Sequence, residues 1–305
     1  MAADSSQMYT LLHDDTPADA PVLLHNLTGF LDAGSAGRLG VEQILATLDH
    51  RVLARFDIDA MFDYRSRRPR MTFLSDHYDQ IDLPELLLHE VHDTAGTRFL
   101  VLHGPEPDFA WQRFTDAVVS LVDRLGVSLT IGAHAVPWPA PHTRPVGITA
   151  HATDPSLIAD RTSWVGALEV PGHIAGLLEL RLGATGHPAM GYTAHVPHYL
   201  SAVDYPRAAV ALLESVVSAT GLSLPLDALR EAATRADREI ATQVSASAEN
   251  SEAVQALEVQ YDAFVGQQGL PLLGEGDGAL PSGDEIAAQV ELFLAQRNGD
   301  GREDG

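Results

Sequence analysis

Apolar and polar positions along the chain follow two periods that alternate from the start. Residues 21–27, PVLLHNL, are a short apolar run behind a turn-rich lead-in and read as a buried strand. In residues 35–49, SAGRLGVEQILATLD, the apolar positions Leu39, Ile44, Leu45 and Leu48 recur close to the helical spacing. HRVLARF and the end of DYRSRRPRMTFL are strand-like, and LPELLLHEVHD is β-compatible. TRFLVLHG, stopped by Gly104 and Pro105, is the clearest central strand. Residues 108–125 predict an amphipathic helix, with Asp108 as N-cap and Gly126 as the stop. VSLTIGAHA, VGITAHAT and PAMGYTAHVPHYL read as further strands, and PGHIAGLLELRLGATG as a glycine-bearing helix or mixed element. Pro206 opens a helix that Gly221 closes.

This alternation over residues 20–221 predicts a three-layer α/β/α sandwich around a mostly parallel sheet. The core domain is expected over residues 1–224. A helical extension is expected over 225–298, packing on the core or on a neighbouring subunit. Within it, 225–267 has helical-hairpin composition, 269–283 reads as a linker, and 284–297 carries one apolar stripe behind Ser282. Residues 299–305 read as a disordered tail.

Composition removes whole classes of chemistry. All 19 basic residues of this 305-residue chain are arginine, so no Schiff base and no P-loop lysine can form. Cysteine is absent, which excludes disulfides and thiolates and fits a cytoplasmic location. The net charge of −23 disfavours nucleic acid and anionic membrane as partners. No apolar run is long enough to span a membrane, and the N-terminus lacks the basic start and apolar core of a signal peptide.

The stretch TGFLDAGSAG, residues 28–37, sits between the first strand and the first helix. Gly29 and Gly34 have Walker spacing, but Ser35 stands where the lysine must be. The tight glycine pair of a dinucleotide fingerprint is missing too. Two readings stay open: a turn that packs strand against helix, or an anion held at the helix start, with Asp32 opposing it. In open α/β sheets ligands bind beyond the carboxyl ends of strands. Asn26, Gly29, Asp32, Gly34, Ser35, His103, Gly104, Asp108 and His134 all follow apolar runs and form one candidate pocket, where a histidine and a carboxylate could do acid–base work. Capping and strand-end hydrogen bonding is the plainer role for the same residues. There is no G-x-S-x-G elbow. HEVHD at 89–93 has Asp93 where a zincin helix needs histidine, so no metal is expected, and no cofactor motif is present. RSRRPR at 65–70 gathers Arg65, Arg67, Arg68 and Arg70. It is either a solvated hairpin tip or a patch for a carboxylate-rich partner, including the acidic helices of a second copy.

GFLDAGSAG after the first strand, HGPEPDFAWQRF after a later one, VPWPAPHTRPVGITAHAT, and LPSGDEIAAQVELFL near the end together resemble the PAC2 family, and its actinobacterial branch most of all. That family includes proteasome assembly chaperone 2 and its archaeal and actinobacterial relatives. The resemblance implies a phosphorylase/hydrolase-like α/β/α core with a helical C-terminal part and a homo-oligomer, a trimer above other sizes. It implies a non-enzymatic binding or assembly-chaperone-like module and supplies no catalytic residues. The alternative is an enzyme or small-molecule binder using the strand ends. Some archaeal relatives dock on the proteasome through a terminal hydrophobic–tyrosine–any-residue motif. This sequence closes on Glu303-Asp304-Gly305, so docking by that route is not expected.

Overall fold

The computed structural model describes residues 8–13, 21–159, 167 and 169–266. Its elements in order are β1 (Tyr9–Leu11), β2 (Val22–Thr28), α1 (Ala36–Thr47), β3 (Asp49–Phe56), β4 (Met71–Leu74), β5 (His77–Ile81), β6 (Leu87–His92) and β7 (Arg98–Pro105). There follow α2 (Trp111–Leu125), β8 (Leu129–Trp138), β9 (Ile148–Ala152), α3 (Ile174–Ala184), β10 (Ala189–Pro197), α4 (Pro206–Thr220), α5 (Asp227–Ser245) and α6 (Ala248–Gly266). The expected linker, last helix and tail at 269–305 lie outside the described residues.

Eight strands form one sheet in the order β1-β3-β6-β7-β2-β8-β10-β9, and β4 with β5 forms a separate hairpin. The centre, β7-β2-β8-β10, is parallel. Both margins are antiparallel. This corrects the expectation of a mostly parallel sheet, and the reason is connection length. Only five residues separate β6 from β7, far fewer than a parallel crossover needs. Asp93 organises that turn. Its carboxylate accepts the N–H groups of Ala95 (2.9 Å), Thr97 (2.7 Å) and, across the fold, Ser223 (2.8 Å).

The strand period sorts the core into two layers. Leu24, Val101, Ile131 and Tyr192 point to the side covered by α1 and α4. Leu23, Leu100 and Leu102 point to the side covered by α2 and α3, where Phe114 and Leu178 are fully buried. The result is the three-layer sandwich, with α5 laid on α4 and α6 returning against α5. The far end of α6 is tied to the loop after β8. Arg144 holds Asp262 through two bonds of 2.7 Å, and the Tyr261 hydroxyl donates to the Pro145 carbonyl at 3.3 Å.

One expected cap is different. Helix α2 starts at Trp111 behind Ala110, not at Asp108. The Asp108 carboxylate is instead taken by the Asp63 N–H (2.7 Å) and the Arg67 guanidinium (2.5 Å). The stop at Gly126 and the proline opening of α4 are as the sequence predicts.

Candidate functional site

The glycine-rich loop after β2 is a packing device. The Cα of Gly37 sits against the buried Asn26, and a side-chain carbon there would lie 1.9 Å from Asn26 Nδ2 and 2.8 Å from the Ala133 carbonyl. Asn26 Nδ2 itself donates to that carbonyl at 2.9 Å. Gly34 has φ of 63°, which only glycine adopts without strain, and it packs on Tyr205 and Val196. Its N–H bonds Ser201 and its carbonyl accepts from Tyr205, both at 2.8 Å. Ser35 continues in the left-handed region at φ 50°. The start of α1 is occupied from within: Asp32 Oδ1 accepts the Gly37 N–H at 2.8 Å. Burial pushes the Asp32 carboxyl up, while the N–H groups of Gly37 and Arg38 pull it the other way.

The other strand-end residues divide between places. His103 is the register partner of Asn26 on the next strand and shares its face. There it neighbours His89, ring centroids 5.0 Å apart, and burial lowers its pKa. His134 faces the opposite layer, beside His25 at 5.4 Å. Gly29 lies against the Glu106 side chain, and Gly104 against the backbone of Glu85 and Leu86. Asp108 is held by Arg67, as described. Asn26, Asp32, Gly34, Ser35 and His103 therefore sit on the α1 side, and His134 and Asp108 do not join them.

On the α2–α3 side the strands carry a row of imidazoles, of which the sequence reading singled out His134 and passed over His151 and His195. His134, His151 and His195 each occupy the third position of a small–Ala–His segment: GAHA, TAHA and TAHV. In a strand that places the flanking alanines in one layer and the histidine in the other. This repeated pattern was the available signal. Each ring lies over a glycine: His134 on Gly132, His195 on Gly147, His151 on Gly191. His195 also stacks on Trp138, centroids 4.0 Å apart, and shares a 2.8 Å hydrogen bond with Thr149. His151 pairs with Glu179 of α3 at 2.7 Å. Burial lowers His25 and His195 to about 4 and His134 well below its ordinary value. At the start of α3, Glu106 accepts the Ile174 N–H at 2.8 Å and the Phe30 N–H at 3.3 Å. No group of three histidine or acidic side chains among the described residues is placed to hold a metal ion.

The outstanding surface is elsewhere. Every residue of β4 and β5 is exposed, including Met71 (53%), Phe73 (56%), Tyr78 (69%) and Ile81 (44%). The arginine run leads into β4, so it forms the root of this hairpin and not its tip. Arg67 is used within the fold: it bonds Asp108 and the Glu106 carbonyl and lies 4.2 Å over the Phe62 ring. Arg65, Arg68 and Arg70 are exposed. No helix among the described residues is long and apolar enough to cross a membrane.

Comparison with known proteins narrows the field. Residues 26–244 match the sequence profile of the PAC2 family. A Mycobacterium tuberculosis protein of unknown function, Rv2714, is 48% identical, with a TM-score of 0.83 over 86% of this chain and 91% of that one. A Corynebacterium glutamicum protein of unknown function is 40% identical, with a TM-score of 0.81 over 85% and 98%. The Mycobacterium tuberculosis proteasome-assembly chaperone homologue Rv2125 is 26% identical, with a TM-score of 0.68 over 76% and 99%. No curated protein matches the sequence.

Proposed function

Since this chain belongs to the PAC2 family, we propose that it is a non-enzymatic, homo-oligomeric protein-binding module of the assembly-chaperone kind, acting in the cytoplasm. The observation that carries this reading is the contrast between two surfaces. The strand ends use their polar groups on themselves: Asp32 accepts the Gly37 N–H of α1, Glu106 accepts the Ile174 N–H of α3 and Asp108 holds Arg67. The hairpin instead leaves large apolar side chains in water, the mark of a surface that meets another macromolecule. The likeness to a proteasome-assembly chaperone homologue supports the same direction. A trimer is the favoured assembly, with the helical extension at the contacts and no nucleic acid or membrane as partner. The expected helix at 284–297 belongs to this proposal, and deleting 284–305 should lower the mass of the assembly.

Full-length tagged protein purified at native expression and read by mass spectrometry tests the proposal. Recovery of the chain as an oligomer with a defined protein partner, proteasome subunits among the candidates, is expected. A monomer that carries a single metabolite and no protein would overturn it. That result would favour an enzyme or small-molecule binder, for which the buried imidazoles of His25 and His134 are the best support.

A further inference from the structure

One rung across the sheet has no side chains at its centre. His25 of β2 pairs with Gly132 of β8, Gly132 with Gly191 of β10, and Gly191 with His151 of β9. The rings of His134 and His151 fold into the space that the two glycines leave open. This polar layer belongs to α3: Glu179 of that helix bonds His151, and His173 at its head lies near enough to act on His134. His25 and His134 are buried side by side, and neither Nδ1 has a hydrogen-bond partner among the described residues. A protonated ring must donate from both nitrogens, and here Nδ1 has nothing to donate to. Helix α3 itself is fastened by little hydrocarbon. Its apolar stripe is Ile174, Leu178 and Leu182, while Leu180 is 74% exposed. Its head is held by polar ties. Glu106 accepts the Ile174 N–H, and Nδ1 of His173 accepts the Gly176 N–H at 3.0 Å. An imidazole caps a helix in this way only while that nitrogen carries no proton.

We propose that α3 is an acid-released flap: protons taken by His173 undo its N-cap, protons taken by His25 and His134 charge the layer beneath it, and the helix lifts from the sheet while the rest of the fold stays closed. This device is independent of the oligomeric reading above. The charged and titratable groups around the buried pair are His151 on β9, His195 on β10, His173, Glu179 and Arg181 on α3, Glu106 after β7, and Asp116 and Asp123 on α2. The carboxylates are committed elsewhere. Asp116 faces Arg181 at 3.9 Å, Asp123 takes His187 at 2.9 Å, and the groups acting on His134 are the imidazoles of His25, His151 and His173. One tie works the other way. A proton on His151 adds charge to its bond with Glu179 and holds the middle of α3, so opening starts from the helix head. Burial lowers the folded pKa of His25, His134 and His173, the first from 6.5 to about 4, so the closed form holds fewer protons than the open one. Opening therefore takes up protons. It gains as the pH falls below 6.5, by about thirtyfold at pH 5 from His25 alone. Lifting uncovers Ile174, Leu178 and Leu182, an apolar surface that the protein hides at neutral pH.

Hydrogen exchange of the full chain, read by mass spectrometry at about pH 7.5 and about pH 5 and corrected for the intrinsic effect of pH, tests the proposal. Peptides from α3 should lose at least tenfold in protection at the lower pH, while those from α1, β2 and α4 keep theirs. Loss in all of these elements together would mean global unfolding and would overturn the flap, as would an α3 whose protection does not change. His173→Asn supplies a cap that does not titrate. It should slow α3 exchange severalfold at about pH 5 and leave it alone at about pH 7.5; exchange equal to the parent's at both pH values overturns the proposal. His134→Gln, which keeps a polar group without a titrating ring, is the second variant and carries the same expectation and the same refutation. Repeating the parent experiment at a tenfold higher protein concentration separates the flap from subunit release. The exchange of α3 should be unchanged, and slower exchange at the higher concentration overturns the proposal.

Discussion

The carboxylate of Asp32 accepts the backbone N–H of Gly37 at 2.8 Å, so the chain's own anion fills the helix start where a phosphate would otherwise be drawn. Removing it should do two things. Asp32→Ala should lose about 1 kcal/mol of stability, the usual worth of a cap. It should also expose the start of α1 to solution anions, so that sulfate raises the melting temperature of the variant more than that of the parent. Equal sulfate responses in the two proteins would show that Asp32 does not guard this position.

Gly37→Ala should be far more damaging than its size suggests. The added carbon meets the Asn26 amide and the Ala133 carbonyl, and the latter is backbone that cannot step aside. Overpacking of this kind costs about 1–3 kcal/mol or more. Gly96→Ala is the control for the fold's tolerance of contact, since nothing lies within 4 Å of a side chain there. Its positive φ of 83° still brings backbone strain. Urea denaturation should therefore rank Gly37→Ala below Gly96→Ala, and the reverse order would refute the close approach.

Acid should act through the imidazoles. Burial, with a smaller push from His151, holds His25 at about 4 in the fold, against 6.5 for an ordinary histidine, and burial holds His195 at about 4 as well. The folded value is the lower one. Each group therefore contributes stability that is complete above about pH 6.5 and is lost as the pH falls toward 4. Glu90 adds to this lower down. Burial opposes its charge, but Arg98 and Arg51 outweigh that and hold its carboxyl below the usual 4.5. The urea midpoint should be flat above pH 7 and fall steeply from 6.5 to 4, with a shallower slope in His25→Leu. A midpoint that does not move with pH over that range would count against the buried neutral rings.

Arg144 should govern α6 locally. Its paired bonds to Asp262 fasten the last turns of that helix to the loop after β8. Both side chains are partly solvated, so Arg144→Ala should change global stability little. Hydrogen exchange should quicken in α6 while α1 and the central strands stay protected. Uniform protection in both proteins would mean that α6 is held by α5 alone.

The elements that the sequence revealed and those it hid differ in burial. Strands such as β7 and β8 are apolar runs because both faces are covered, and they stood out on that account. HYDQI, residues 77–81, is strand by virtue of its partner β4, with no buried face to leave an apolar trace. The antiparallel margins were invisible for a different reason. Pairing direction depends on the short turn that Asp93 organises, and a single acidic residue between two strands does not announce that duty. At the strand ends the residue types were visible and their allegiance was not. Asp108 follows a proline and precedes a helix, as an N-cap should, yet Arg67 lies close enough to claim it. The imidazole row was legible in GAHA, TAHA and TAHV once each strand's alternation was followed, because the alanines must face a helix and the ring must face the other layer.

The place of β2 in the sheet has a consequence for how the chain comes off the ribosome. It is among the first strands made, yet both of its neighbours, β7 and β8, are encoded much later, beginning at Arg98 and Leu129. Until then two unpaired backbone edges and the apolar side chains of Leu23, Leu24 and Leu27 wait without their final partners. Closing the centre of the fold requires contacts of long sequence separation, which form slowly. The antiparallel pairs β3–β6 and β6–β7 are more local and can assemble first, as a platform that β2 then joins. The nascent chain thus carries an interval of aggregation risk set by strand order and independent of the stability of the finished protein.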